Sequence, residues 1–219
     1  MTSSHIDPSL LQAFAPTGVL RASINVGNPI LARRDSPEKA PYGVSIDMAQ
    51  ELARRLGVEL ELVVWESAGE SVQAASDNNV DIGFFAIDPK RGEFVAFTTP
   101  YILIEGAYLV ADNSPLQSNE EVDKEGTTVT VGKGSAYDLY LSRTLQHATI
   151  ECAPTTPAVV AHYLEHGHDV PAGVRQQLEA GLAEHKGLRL LPGHFMVIRQ
   201  AMARHDIKGA AVAPAEAQS

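Results

Sequence analysis

The residues whose types and spacing best suit the binding of an anion are Gly134 and Ser135. A predicted strand over 128–132 ends just before them and a predicted helix over 136–145 follows, so they occupy a strand-to-helix junction. Free backbone N–H groups and the helix dipole favour an anion there, and the Ser135 hydroxyl adds a donor or caps the helix. The turn does not fit a dinucleotide-binding loop, because Tyr137 stands where a third glycine is required.

Three histidines and a cysteine are the other candidates for chemistry. His162 and His166 have the i, i+4 spacing of zinc-binding helices, and His168 follows them. The His-Glu-x-x-His pattern is absent, and the helix dipole favours histidine near a helix C-terminus, so we expect no metal site. Cys152 lies in an apolar predicted strand, and we expect a small buried side chain there. No Ser/His/Asp set has a nucleophile elbow, so we predict no catalytic residue and no cofactor.

The composition of the chain excludes some classes of function. With 219 residues, 44% of them hydrophobic, it can form one large domain or two small α/β lobes. The formal net charge is −10 and no basic stretch occurs, so we expect no nucleic-acid partner. The single cysteine rules out an intrachain disulfide and gives no indication of the redox compartment.

The first sixteen residues do not resemble a secretory signal, because no basic region precedes an apolar core. The expected location is therefore cytoplasmic if Met1 is the native start. The alternative is that a signal was removed and Met1 was added in its place. We also predict no segment long enough to span a bilayer.

From Val19 onward, short apolar runs alternate with amphipathic helical stretches, a pattern typical of βαβ units and a mostly parallel sheet. The predicted strands cover 20–26, 59–65, 81–87, 128–132 and 149–152, and the predicted helices cover 46–56, 69–77 and 136–145, with two more opening near 156 and 174. The helix over 46–56 is the best marked. Asp47 is in its first turn, basic residues are in its last turn, and Gly57 can close it.

Two apolar segments are suited to carry the chain between two lobes. Residues 95–110 are too long for one ordinary strand and are interrupted by Pro100 and Gly106, while 188–198 would return to the first lobe. This places lobe 1 at 1–108 plus 193–219, lobe 2 at 109–192, and the crossovers near 105–110 and 190–196. The tail after Gly209 has little to pack.

Four segments, taken with this order of elements, resemble the family 3 solute-binding proteins, the receptors for amino acids and related small acids of bacterial ABC transporters. The segments are Tyr-Gly-Val-Ser-Ile-Asp-Met at 42–48 leading into the helix, Val-Asp-Ile-Gly at 80–83, Arg91 through Phe-Thr-Thr-Pro-Tyr at 97–101, and Gly-Lys-Gly-Ser at 132–135. The resemblance implies an α/β type II periplasmic-binding-protein fold, with two lobes, mostly parallel sheets flanked by helices, and a ligand cleft on which the lobes close.

The resemblance also implies which residues line that cleft. In the family, an arginine shortly after the third strand usually grips the ligand carboxylate, and Arg91 has that position; its planar guanidinium matches a carboxylate. The alternative is a surface arginine on a polar turn. The loop over 25–28, which includes Asn28, follows the first strand, and Phe85 to Asp88 end the third strand, so both segments are expected in the cleft walls. Tyr42 could stack on the ligand, although Phe85 and Tyr42 suit packing equally well.

Two departures from the family stand out. Its amino-acid binders usually place an acidic residue near the position of Val174 and Arg175, and Asp169 lies several residues too early. This argues against a simple α-amino acid. If Arg175 faced the cleft, two guanidinium groups would favour a dicarboxylate or another anion lacking an amine; an exposed Arg175 at a helix start is the alternative. The long final helix of the family is also absent after 195–202, so we expect a chain shortened at its C-terminus.

The function implied by the resemblance is non-enzymatic. We expect a monomeric periplasmic receptor for a small carboxylate, with an ABC-transporter permease as its partner. Some relatives of these receptors look like cyclohexadienyl or arogenate dehydratases, so an enzyme on the same fold is the alternative, with Asp88, Glu105 or Lys133 as a proton donor. A cytoplasmic ligand sensor or a decayed paralogue is a third hypothesis.

Overall fold

The computed structural model describes residues 6–205, which form six α-helices and ten strands. The helices are α1 Pro8–Phe14, α2 Val44–Leu56, α3 Ala68–Ser76, α4 Ala136–Thr144, α5 Val159–His166 and α6 Arg175–Glu184. The strands are β1 Val19–Asn25, β2 Glu59–Trp65, β3 Ile82–Ala86, β4 Val95–Phe97, β5 Ile102–Ala111, β6 Thr128–Gly132, β7 Thr149–Ala153, β8 Val170–Val174, β9 Leu188–Leu190 and β10 Met196–His205. None of the described helices is long and apolar enough to cross a membrane.

The strands form two lobes, and hydrogen bonds between neighbouring strands run through both in the order β2-β1-β3-β10-β5-β8-β6-β7. In lobe 1, β1 pairs in parallel with β2 and β3, and in lobe 2, β6 pairs in parallel with β7 and β8. The βαβ alternation of the sequence explains this, because each crossover helix returns the chain in the same direction. The two-lobed α/β fold predicted from the sequence is confirmed.

The lobes are joined by two long antiparallel strands, β5 and β10. They pair with each other over 102–106 and 196–200. The rest of β5 pairs with β8 and β9 in lobe 2, whereas the rest of β10 pairs with β3 and β4 in lobe 1. The return strand thus lies C-terminal to the expected 190–196, because the apolar run at 188–190 is already used by lobe 2. The lobe boundaries at 108 and 193 stay a prediction.

Helix α2 shows how local sequence fixes the elements of lobe 1. Its buried face consists of Ser45, Ile46, Ala49, Ala53 and Leu56. Fully burying a side chain such as that of Ile46 contributes about 2 kcal/mol. The helix ends at Gly57, which has a φ of 66° and a backbone N–H that returns to the last turn, as the sequence predicted.

Two local predictions were wrong. The spacing of Val174, Leu178 and Leu182 predicted a helix that begins at Val174, but Val174 ends β8, a fully buried strand between β5 and β6. The strand was not predicted because it contains Pro171 and Gly173, and both residue types are rare in strand interiors. Cys152 is exposed rather than buried, because β7 is the edge strand of lobe 2. The expectations for the tail after Gly209 and for a missing final helix concern residues outside the described range.

Candidate functional site

A cleft lies between the two lobes, where the carboxyl ends of strands from both lobes face each other. Asn25 ends β1, Ala86 ends β3 and Val174 ends β8, and all three line it. The full lining is Asn25, Asn28, Leu31, Ser45, Ala68, Ser71, Val72, Phe84, Phe85, Ala86, Arg91, Ser135, Ala136, Tyr137, Thr156, Val174, Ile198 and Gln200. The space between the lining atoms measures about 570 Å³ when the open solvent at its mouth is included.

Arg91 is the only charged side chain in this lining, among the described residues. It opens a short 3₁₀ turn after β3 and is 3% exposed. Its Nη1 donates to the Ala86 carbonyl at 3.2 Å and its Nη2 to the Gly134 carbonyl of the opposite lobe at 3.0 Å. Its Nε has no hydrogen-bond partner, and no carboxylate pairs with it within residues 6–205. Burial lowers the pKa of Arg91 to about 10, which leaves the guanidinium charged at neutral pH.

Asp88 was expected in the cleft wall, but its carboxylate has other partners. One oxygen accepts from the Lys90 backbone N–H at 2.9 Å, and the other accepts from Arg143 Nη2 at 2.7 Å. Arg143 belongs to α4 in the opposite lobe, so the pair is a contact between lobes. This position does not support a direct ligand contact for Asp88 and instead makes it part of the lobe interface.

The Gly134-Ser135 turn lies at the strand-to-helix junction as predicted, but its N–H groups are already bonded. The Gly134 N–H donates to Asp138 Oδ2 at 2.8 Å and the Ser135 N–H to the Gly132 carbonyl at 3.0 Å. Ser135 lines the cleft and caps α4, accepting from the Asp138 N–H at 3.1 Å. Its hydroxyl proton is the donor that remains for a ligand. The expectation of a backbone anion site formed by Gly134 is therefore not supported.

The remaining predicted site residues divide into two groups. Asn28 and Phe85 line the cleft, and Phe85 also packs in a lobe 1 core against Val63 and Trp65. Tyr42 is 49% exposed and its hydroxyl donates to Asp35 at 3.0 Å. It is not among the lining residues, because the turn that carries it folds back as an isolated bridge at the surface. A stacking role for Tyr42 is not supported.

More than half of the polar side chains that line the cleft were not predicted from the sequence. These are Ser45, Ser71, Tyr137, Thr156 and Gln200, whereas Asn25 belongs to the predicted loop over 25–28. Tyr137 is 2% exposed, its hydroxyl has no hydrogen-bond partner in the described structure, and burial raises its pKa. The only signal for it was its position in the first turn of α4, directly after the predicted anion turn.

Comparison with known proteins identifies the family. Residues 24–202 match the bacterial extracellular solute-binding proteins, family 3. The chain belongs to this family. It is also 30% identical over 152 residues to the cyclohexadienyl dehydratase of Pseudomonas aeruginosa, which covers 67% of this chain and 55% of the relative. The chain therefore spans about half the length of that curated relative.

Solved structures resemble this family 3 solute-binding protein in fold. Holo ArgBP from T. maritima gives a TM-score of 0.70 at 21% identity, covering 90% of this chain and 85% of that chain. The cysteine-binding protein from Campylobacter jejuni gives a TM-score of 0.73 at 21% identity, covering 90% and 80%. At these identities the likeness concerns the fold alone.

Arg175 does not line the cleft of this family 3 protein. Its Nε donates to Glu105 Oε2 at 2.7 Å, and its Nη2 donates to the Gly193 carbonyl. These contacts tie the start of α6 to crossover strand β5 and to the turn before β10. The hypothesis of a second cleft guanidinium, and of a dicarboxylate ligand that it would favour, is therefore not supported.

The three histidines form a cluster on lobe 2, away from the cleft. The rings of His162 and His166 stack at 4.0 Å, and the ring of His168 lies 5.6 and 5.4 Å from theirs. His168 Nδ1 shares a hydrogen bond of 2.8 Å with Thr130 Oγ1. Burial, and then the neighbouring histidines, lower the pKa of His168. Across residues 6–205, no group of three His, Cys, Asp or Glu side chains is arranged to hold a metal ion.

Proposed function

We propose that this family 3 solute-binding protein binds a small carboxylate in the cleft between its lobes and delivers it as the substrate-binding component of an ABC transporter. The observation that carries the proposal is Arg91, a buried cation on the cleft wall with no carboxylate partner among residues 6–205. A buried charge without a partner is costly, and a ligand carboxylate offsets that cost while accepting from the free Nε–H.

The contacts between the lobes support closure around the ligand. Polar contacts that join them include Arg91 to the Gly134 carbonyl, Arg143 to Asp88, and Gln177 Nε2 to the Gly27 carbonyl at 3.2 Å. Each of these joins residues of opposite lobes, so each requires the lobes to lie close together. Closure removes water from the site, and the pairing of guanidinium and carboxylate becomes stronger in the less polar surroundings.

The family is described as bacterial and extracellular, which supports a location outside the cytoplasmic membrane. We propose a periplasmic or extracellular monomer that docks on a permease. A pull-down with candidate permeases encoded beside the protein tests this partner.

Calorimetry with a panel of amino acids, 2-oxo acids, 2-hydroxy acids and dicarboxylates tests the receptor proposal. We expect at least one acid to bind, and the corresponding amide, which lacks the charge, to bind at least about tenfold more weakly. Binding should disappear in Arg91→Met and persist in Arg55→Met, an exposed arginine of α2. A ligand whose affinity is the same in wild type and Arg91→Met contradicts the carboxylate anchor.

A second candidate function is dehydration of a cyclohexadienyl acid, favoured by the identity to the Pseudomonas aeruginosa dehydratase. Such an enzyme needs a proton donor in the cleft. Asp88 is bonded to Arg143, Glu105 is bonded to Arg175, and Lys133 lines a separate depression. These contacts favour the receptor. Incubation with prephenate or arogenate, followed by chromatography for the aromatic product, tests the enzyme, and turnover that Arg91→Met abolishes would replace the receptor proposal.

A further inference from the structure

We infer that the cleft selects monocarboxylates without an ammonium group, in particular 2-hydroxy or 2-oxo acids with an apolar body. The inference rests on the proposed function and adds the class of ligand. It begins with the charge of the cleft: of the described residues that line it, Arg91 is charged and none is Asp or Glu.

The charge balance separates three kinds of acid. A monocarboxylate neutralises Arg91 and leaves the closed cleft without net charge. A zwitterionic amino acid brings its ammonium beside the guanidinium, so the cleft keeps a net positive charge with no carboxylate to compensate for it. A dicarboxylate leaves one negative charge without a cation, because Arg175 is already paired with Glu105. Both the amino acid and the dicarboxylate therefore leave a buried charge without a partner, which costs more free energy than the neutral pair formed by a monocarboxylate.

The uncharged oxygens of the cleft do not replace a carboxylate. An ammonium donates three hydrogen bonds and needs three acceptors. The amide oxygens of Asn25 and Asn28 accept from the backbone N–H groups of Gly27 and Ile30. The hydroxyl of Ser71 is paired with that of Ser23 at 2.7 Å. The oxygens of Asn25, Asn28 and Ser71 therefore already have hydrogen-bond partners, and none of the remaining lining oxygens carries a charge.

The apolar side chains of the lining and the hydroxyl of Tyr137 indicate what the ligand carries besides its carboxylate. The apolar wall consists of Leu31, Ala68, Val72, Phe84, Phe85, Ala86, Ala136, Val174 and Ile198. Among the described residues that line the cleft, Tyr137 has the one buried hydroxyl without a hydrogen-bond partner. A phenol both donates and accepts, so it can bond to a ligand hydroxyl or carbonyl oxygen. A 2-hydroxy or 2-oxo group next to the carboxylate supplies such an oxygen.

The experiment compares isosteric acids on the wild-type chain by calorimetry. The probes are L-leucine, 2-hydroxy-4-methylpentanoate and 4-methylpentanoate, with phenylalanine, 3-phenyllactate and 3-phenylpropanoate as a second set. We expect the hydroxy acid of at least one set to bind at least about tenfold tighter than its amino acid. An amino acid that binds as tightly as its hydroxy acid, or tighter, overturns the inference.

The outcomes for the inference and for the proposed function are distinct. If an amino acid binds best and Arg91→Met abolishes its binding, the receptor proposal stands and the inference fails. If none of the six acids binds, the inference fails whatever the wider panel finds. If 2-hydroxy acids bind equally well to wild type and Arg91→Met, the carboxylate anchor itself fails.

Three variants at two positions test the roles of individual residues. Tyr137→Phe should reduce hydroxy-acid affinity about tenfold and leave the affinity for the acid without the hydroxyl unchanged. An equal loss for both acids contradicts the assigned hydrogen bond. Val174→Asp adds a carboxylate to the cleft wall and should shift the preference toward the amino acid, whereas Val174→Asn, of the same shape, should not. Circular dichroism confirms that each variant is folded before binding is measured.

Discussion

Replacing Arg91 by methionine should separate binding from stability, because the unliganded fold compensates its charge only in part, through the nearby carboxylate of Asp88. Burial lowers the pKa of Arg91 from 12.5 to about 10, which corresponds to a charged form destabilised by about 3 kcal/mol. Methionine has a similar length and no charge. It also loses the hydrogen bonds to the carbonyls of Ala86 and Gly134, at about 1 kcal/mol each. The free energy of unfolding should therefore stay level or rise by about 1 kcal/mol.

The effect on binding has the opposite sign. The ligand carboxylate would enter a cleft with no cation, and truncating one partner of a buried charge pair costs about 2–5 kcal/mol. The dissociation constant should therefore rise by a factor between about 30 and several thousand.

Urea denaturation without ligand and calorimetry with the best acid of the panel measure the two quantities. Arg55→Met, at an exposed position of α2, is the control and should change neither by much. An Arg91→Met chain that loses about 3 kcal/mol or more without ligand would refute the reasoning, because a loss of that size is typical of breaking a buried ion pair. An affinity within a factor of about three of wild type would refute the assigned anchor.

Three further predictions concern closure and pH. Gly134→Ala should weaken ligand binding more than Gly126→Ala in calorimetry. Both glycines have a positive φ, but only at Gly134 would an added Cβ meet the backbone of the opposite lobe, at 2.8 Å. Equal losses of affinity would indicate backbone strain alone. Arg143→Gln, which removes the ion pair with Asp88, should speed ligand release in stopped-flow measurements; an unchanged release rate would exclude a latch formed by this pair. The lowered pKa of His168 means that the unfolded chain binds more protons below pH 6.5, so stability is fully present above that pH and falls as the pH drops. His168→Gln should reduce the difference in the free energy of unfolding between pH 7 and pH 5, measured by urea titration. An unchanged difference would mean that other groups cause the pH dependence.

The architecture could be predicted from the sequence because its signals are local. Helix α2 shows its apolar face, its charges and its closing glycine in one stretch of chain, and β2 and β6 begin and end at the predicted residues. Strand β8 was missed because its pairing partners, rather than its own residues, determine it. It is held between β5 and β6, where a strand with proline and glycine is stable.

The site could be predicted only in part, for the same reason. Arg91, Ser135, Asn28 and Phe85 line the cleft because each follows or ends a parallel strand, which the chain order predicts. The partner of Asp88 could not be predicted, since Arg143 lies 55 residues away on the other lobe. Hydrogen bonds of this kind depend on how the lobes pack against each other, and no local sequence pattern predicts them.

The position of Arg91 also suggests why ligand binding and lobe closure depend on each other. Nη1 is held by the Ala86 carbonyl of its own lobe, while Nη2 reaches the Gly134 carbonyl of the other lobe. Closing the lobes therefore gains a hydrogen bond but removes water from a charge. Without a ligand carboxylate the loss of water opposes closure and offsets the gain of about 1 kcal/mol from one hydrogen bond. A bound carboxylate reduces that cost and keeps the hydrogen bond, which shifts the population toward the closed form. The same side chain can thus both recognise the ligand and link its binding to closure.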